Sequence, residues 1–238
     1  GRFASGIAND LNNMLMPVIA YTELAARDVP DDSPSRKHLQ AVLSSGLRAS
    51  ELVAQILTFG QAVEPARGGV DLSSVLDELR QLLRPKIPAG LALRIRVPDE
   101  SLPPVQANRT ALLQVFQNLC LNAIDAMPDG GSLDIEASLL RGPLDGENQV
   151  VVSVEDTGQG MTEETISRAF DPFFSTKAPG KGSGLGLAMV HGIIAALGGS
   201  IDIKSTPDQG SRFLVHLPVS SEADSAEDKK PEEEARFA

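Results

Sequence analysis

Apolar side chains fall at Phe3, Ile7, Leu11, Met14, Val18 and Tyr21, in steps of four, four, three, four and three. Such steps keep residues on one face of a 3.6-residue turn, so the spacing predicts a helix over 3–27. "VPDDSPS" (29–35) interrupts the pattern with two prolines and offers Ser33 and Ser35 as caps for a second helix, from about Arg36 to Phe59. Two helices joined by so short a turn make a hairpin that cannot bury all its apolar surface alone. Pairing with a copy of itself into a four-helix bundle covers the remainder, so a homodimer through the N-terminal hairpin is expected.

Beyond "GQAVEPARGG" (60–69) the texture changes from helical to mixed. "LALRIRV" (91–97), "SLDIEASLL" (132–140) and "QVVVSVED" (149–156) alternate or run apolar like strands, whereas 108–127 and 184–198 read as helices. "GSIDIKSTPDQGSRFLVHLPV" carries two strand patterns about a Pro-Asp-Gln-Gly turn, a hairpin. The expected organisation is a helical hairpin over 1–61, a linker over 62–69, an α+β sandwich over 70–219 and a tail over 220–238.

Composition narrows the function classes. No run approaches the ~20 apolar residues that cross a bilayer, and no leader pattern opens the chain, so no membrane contact is expected of this stretch. Gly1 stands where a starting Met would, already inside a helical pattern, and reads as the edge of an excised piece with any sensory segment upstream. The single cysteine, Cys120, excludes an internal disulfide and fits a reducing, cytoplasmic setting; on an apolar helix face it reads as a small buried hydrophobe. A net charge of −11 argues against nucleic acid as a partner. Seven acids and three bases after residue 218 make the tail strongly acidic and almost free of large apolar residues, so it reads as disordered.

Three stretches carry candidate chemistry. In "NRTALLQVFQNLCLNAIDAM", Gln114, Asn118 and Asn122 share one helix face; buried amides need partners, and a solvated face is the plainer alternative. "DTGQGM" puts Asp156 at a strand end, followed by Gly158 and Gly160, which suit either a tight turn or a close ligand. "GKGSGLGLAMV" places glycines at alternate positions before a helix, where amides and the positive dipole end favour an anion such as phosphate.

Together these pieces resemble the histidine-kinase branch of the Bergerat-type (GHKL) ATP-binding fold shared with gyrase and Hsp90. "NLCLNAIDAM" is similar to its N box, "DTGQGM" to the G1 box, "FDPFFSTK" (170–177) to the F box and "GSGLGL" (182–187) to the G2 box; the hairpin resembles the dimerisation and phosphotransfer (HisKA) domain. The resemblance implies ATP and Mg²⁺ as cofactors, with Asn122 ligating the metal through its amide oxygen and Asn118 supporting it from one turn earlier. Asp156 would accept a hydrogen bond from the adenine amino group while Gly158 and Gly160 let the chain pass the base. The loop of Gly182, Ser183, Gly184, Leu185 and Gly186 would present amides to the phosphates. Residues 161–181 would form a lid anchored by Phe170, Phe173 and Phe174, with Lys177 and Lys181 as phosphate partners. His38, His191 and His216 lie outside the phosphoacceptor position and read as structural. A response-regulator receiver domain is the implied protein partner.

One motif departs from the family. "FASGIANDLNN" matches the H box except that Asn9 stands where the nucleophilic histidine belongs, followed by Asp10 and Asn13 in their expected places. An amide nitrogen delocalises its lone pair into the carbonyl and is no useful nucleophile, so autophosphorylation is expected to be abolished. Asp10 and Asn13 remain in place for dephosphorylating a receiver. Three readings are open: an inactivating His-to-Asn substitution, a natural pseudokinase acting as scaffold or regulator, or a GHKL ATPase. The last is disfavoured because hydrolytic relatives carry a glutamate base where this chain has Asn118.

Overall fold

The computed structural model describes residues 2–30, 33–60, 69–98, 102–142, 148–177 and 183–220. In the N-terminal helices the side chains of 2–10, 12–13, 47–48, 50–52 and 54–60 also lie outside the described set. The expected tail beyond Ser220, most of the linker, and Lys181 and Gly182 therefore lie outside the described residues. The chain divides into two compact units, Gly1–Ala62 and Val63–Ala238.

The first unit is the predicted hairpin, α1 (Arg2–Arg27) and α2 (Pro34–Gly60). Ser33 is the cap: its hydroxyl accepts from the Arg36 N–H at 3.2 Å, with Pro34 in the first turn, where a missing N–H costs nothing. The Arg36 guanidinium donates to the Ala26 and Val29 carbonyls at 2.6 and 2.7 Å, satisfying acceptors that the end of α1 leaves open. Leu15, Ile19 and Ala26 on α1 meet the side of α2 that carries Leu39, Leu43, Gly46 and Val53. The approach is closest at Gly46, where an added β-carbon would stand 2.9 Å from the Ile19 side chain. The stripe singled out in the sequence is a different one. Leu11, Met14, Val18 and Tyr21 face away from α2, with Tyr21 73% and Met14 68% exposed.

The second unit is a mixed five-stranded sheet with helices on one face. Gly69, expected at the end of a linker, already belongs to strand β1 (Gly69–Val70). Next comes α3 (Leu72–Leu83), a helix absent from the expected elements, capped by Asp71 accepting from the Ser73 N–H and buried through Leu72, Val75, Leu76, Leu79 and Leu83. The remaining elements are β2 (Leu91–Arg96), β3 (Val105–Gln106), α4 (Arg109–Asp125), β4 (Gly131–Leu140), β5 (Gln149–Asp156), α5 (Glu163–Arg168), α6 (Gly186–Ala196), β6 (Ser200–Ser205) and β7 (Ser211–Pro218). The main sheet runs β2-β4-β5-β7-β6, with β2 and β4 parallel and the other neighbours antiparallel, while β1 and β3 form a separate two-stranded ribbon.

Period-two burial on β4, β5 and β7 sends Leu133, Ile135, Val152, Val154, Phe213 and Val215 into the core. Phe116, Leu119 and Cys120 of α4 and Met189, Val190 and Ile194 of α6 join them from above. The opposite face is solvated and ion-paired: Arg94 holds Asp134 bidentately at 2.6 and 2.8 Å, keeping that carboxyl below the usual range, and Arg212 pairs with Glu155. Cys120 is the buried hydrophobe expected, with its thiol pushed up to about 12 by desolvation.

Candidate functional site

The site grows from α4. Asn108 caps this helix, its side-chain oxygen accepting from the N–H groups of Thr110 and Ala111. That start sets the rotation that puts Gln114, Asn118 and Asn122 on the side facing α6. All three are half-buried, so the face is not the solvated one. Gln114 donates to the Met189 sulfur at 2.9 Å. An added β-carbon at Gly186 would stand 3.6 Å from Asn118 Oδ1 and 3.7 Å from Asn122 Nδ2, so these two amides line the first turn of α6.

Gly186 opens α6 behind Leu185, which makes no side-chain cap hydrogen bond among the described residues. Ser183 instead accepts from the Leu185 N–H at 3.2 Å. The first-turn N–H groups and the positive dipole end thus meet Asn118 and Asn122, an arrangement that suits an anion and a metal side by side. Gly184 has φ +66°, and a β-carbon there would lie 2.4 Å from the Phe173 carbonyl carbon. Phe173 itself has φ +67° and donates its N–H to the Gly184 carbonyl at 2.9 Å.

Asp156 ends β5 and is 5% exposed. Desolvation pushes its pKa above the usual carboxylate value, opposed by the N–H groups of Gly158 and Ser211, with nearby Glu155 adding to the rise. Its Oδ1 accepts from Gly158 at 2.8 Å. The two glycines here are required by the protein's own backbone. A β-carbon at Gly158 would stand 2.6 Å from the Ala126 carbonyl oxygen, and one at Gly160, at φ +62°, would stand 1.9 Å from that of Thr206. Gln159 closes the turn, donating to Ala126 and accepting from the Asp208 N–H.

The aromatic cluster differs from expectation. Phe170 packs on the His191 ring at 5.0 Å between centroids, and the Arg168 guanidinium lies 4.4 Å over Phe174. Phe173 is not an anchor: its ring is 73% exposed, because the left-handed backbone that meets Gly184 turns it outward. Lys177 is engaged by α4 rather than standing free for a phosphate. Its ammonium donates to Asp125 Oδ2 at 2.6 Å and to Asn122 Oδ1 at 3.3 Å. Asp125 is the site residue that sequence reasoning missed. Its signal was a carboxylate three positions after Asn122, on the same helix face.

His216 pairs with Asp202 at 3.3 Å on the solvated sheet face and His191 serves Phe170, in keeping with structural roles. Asn9, Asp10 and Asn13 lie within α1 by backbone, and their side chains are outside the described residues. Among the described residues no group of three or more His, Cys, Asp or Glu could hold a metal ion, and no helix is long and apolar enough to cross a membrane.

Two family models match the chain. Residues 1–65 match the His Kinase A (phospho-acceptor) domain, and 107–221 match the histidine kinase-, DNA gyrase B- and HSP90-like ATPase domain. The chain is 36% identical to the sensor kinase CckA of Brucella abortus (strain 2308) over 237 residues, covering 96% of this chain and 25% of that protein. It is 31% identical to the sensor histidine kinase ZraS of Escherichia coli (strain K12), covering 92% of this chain and 45% of that protein. It thus spans a quarter to just under half the length of these curated relatives. Among solved structures, full-length ShkA in complex with AMPPNP superposes at a TM-score of 0.74 and 26% identity, over 92% of this chain and 46% of that one. The nucleotide-free catalytic domain of histidine kinase ThkA superposes at 0.55 and 31% identity, over 65% of this chain and 98% of that domain. Matched at both ends by the family's models and sharing nearly all of a histidine-kinase catalytic domain, the chain belongs to the histidine kinase family of two-component systems.

Proposed function

We propose that this chain is the catalytic core of a two-component histidine kinase that binds Mg-ATP in its second unit and has lost its phosphoacceptor at Asn9. The observation that carries the reading is the meeting of Asn118 and Asn122 with the first turn of α6 at Gly186. In the same unit Asp156 offers a buried carboxylate for the adenine amino group. The donor set fits a hard cation, since Asn122 Oδ1 and Asp125 Oδ2 already hold an ammonium between them. Bound Mg²⁺ would neutralise charge on the β- and γ-phosphate oxygens. Asn122 would orient it through its amide oxygen, and the α6 amides, with Gly182 to Gly186, would hold the phosphates. Asn118 takes no proton near neutral pH, which favours transfer over hydrolysis.

The exposed stripe of Leu11, Met14, Val18 and Tyr21 supports a homodimer through residues 1–61, and the hairpin would meet a receiver domain. The domain limits, the cytoplasmic setting and the roles of Asp10 and Asn13 belong to the same proposal. A second reading, a natural pseudokinase that regulates another kinase or a response regulator, is supported by the same pairing of a candidate nucleotide site with Asn9. Asn9→His separates the two. Incubated with labelled ATP, the revertant of a substituted kinase gains acid-labile, base-stable label, whereas a diverged pseudokinase stays unlabelled. The nucleotide claim stands apart from this: an ATP analogue with Mg²⁺ raises the Tm of the unaltered chain, and the absence of both shift and binding would sink it.

A further inference from the structure

Lys177 is placed as a cation in a cation's position. Its ammonium lies on Asn122 Oδ1, the oxygen read above as the metal ligand, and on Asp125 Oδ2 from the same helix face. The side chain is 31% exposed and its partner Asp125 55%, so the pair contributes little to stability and is free to exchange. Two cations cannot share one amide oxygen at contact distance without strong repulsion in a partly desolvated site. Asp125 needs no further partner to hold the ammonium when it moves, because a lysine stem is long and flexible.

We infer that Lys177 is an intramolecular placeholder for the metal: held by Asp125, its ammonium occupies the cation position at Asn122 Oδ1 and vacates it when a divalent ion arrives with the nucleotide. Asp125 is then a positioning residue of the site. The segment carrying Phe173 and Lys177, tied to the α6 entry through Phe173 and Gly184, would sense metal loading directly. The inference rests on the reading of Asn122 as the metal ligand.

Mn²⁺ followed by electron paramagnetic resonance, titrated into the full chain with a non-hydrolysable ATP analogue, reads the competition without any activity. Lys177→Met is expected to lower the Mn²⁺ midpoint about three- to tenfold, while Lys177→Arg, which keeps a cation there, stays near the unaltered chain. Lys86→Met, a charge lost from an exposed position of the same unit outside the candidate site, is expected to leave the midpoint unchanged. A midpoint unmoved by Lys177→Met, or moved equally by Lys86→Met, overturns the placeholder while leaving nucleotide binding intact. An unaltered chain with no saturable Mn²⁺ site overturns the metal reading itself, and the placeholder with it.

Discussion

The carboxylate of Asp156 accepts a hydrogen bond from the N–H of Gly158, two residues on, at 2.8 Å, while burial raises its pKa. In the window between the unfolded value of about 3.9 and the raised folded value, the folded chain binds more protons than the unfolded one. Stability attributable to this group therefore falls as pH rises through that window, and above it the fold carries the whole cost of a buried charge. Asp156→Asn does not titrate. Its Tm relative to the unaltered chain is expected to climb from acid pH towards neutrality and then level off. A difference independent of pH would contradict this. The same variant is expected to lose roughly ten- to hundredfold in affinity for an adenine nucleotide, since hydrogen bonds to charged groups are worth about 1.5–3 kcal/mol.

Gly160 leaves no room for a side chain. Its φ of +62° and the 1.9 Å that would separate an added β-carbon from the Thr206 oxygen together make Gly160→Ala costly, about 2–4 kcal/mol. Chemical denaturation should register the loss; a variant within 0.5 kcal/mol (about the effect of a neutral surface change) would mean that the turn relaxes freely.

Asn122→Ala removes the amide oxygen that Lys177 touches, from a half-buried position facing the α6 entry. Folding stability is expected to move by no more than about 1–2 kcal/mol, while Mg²⁺-dependent binding of an ATP analogue falls at least tenfold. Calorimetry in the presence and absence of Mg²⁺ separates the two, and equal losses in both conditions would argue against a metal role.

Val18 is 49% exposed on the outer face of α1, away from α2. A charge there costs the isolated hairpin little but must be desolvated in a four-helix bundle. Val18→Asp is expected to shift the protein from dimer to monomer by light scattering at micromolar concentration, with far-ultraviolet dichroism unchanged at matched temperature. A variant that stays dimeric would place the interface elsewhere.

The elements with strong periodicity were legible. Both hairpin helices, strands 91–97, 132–140 and 149–156, and the final β-hairpin stand within a few residues of where their patterns put them. Helix α3 was legible in principle, since Leu72, Val75, Leu76, Leu79 and Leu83 follow Asp71 at helical steps. It is framed closely by Gly68-Gly69 and by Pro85 and Pro88, and its short run of leucines is not among the expected elements. On α1, periodicity tells which residues share a face but not what covers it. Leu15 and Ile19 turned out to meet α2, and their neighbours Met14 and Val18 to face out.

Other features depend on long-range partners that no local pattern announces. The need for glycine at 160 comes from Thr206, and the fate of Lys177 from Asp125, 52 residues away in sequence. The family resemblance implies Phe173 as a lid anchor. Its left-handed backbone, imposed by the meeting with Gly184, decides otherwise.

Cys120 has a practical corollary. It is the only cysteine in the sequence, fully enclosed between α4 and the sheet, and its thiol scarcely ionises at neutral pH. Maleimides and methanethiosulfonates need a reachable thiolate, so the native exterior is silent towards them. A cysteine introduced at Met14 on the hairpin or at Leu140 on the sheet would be the sole site modified. Spin labels or fluorophores can thus be placed on either unit of an otherwise unaltered chain.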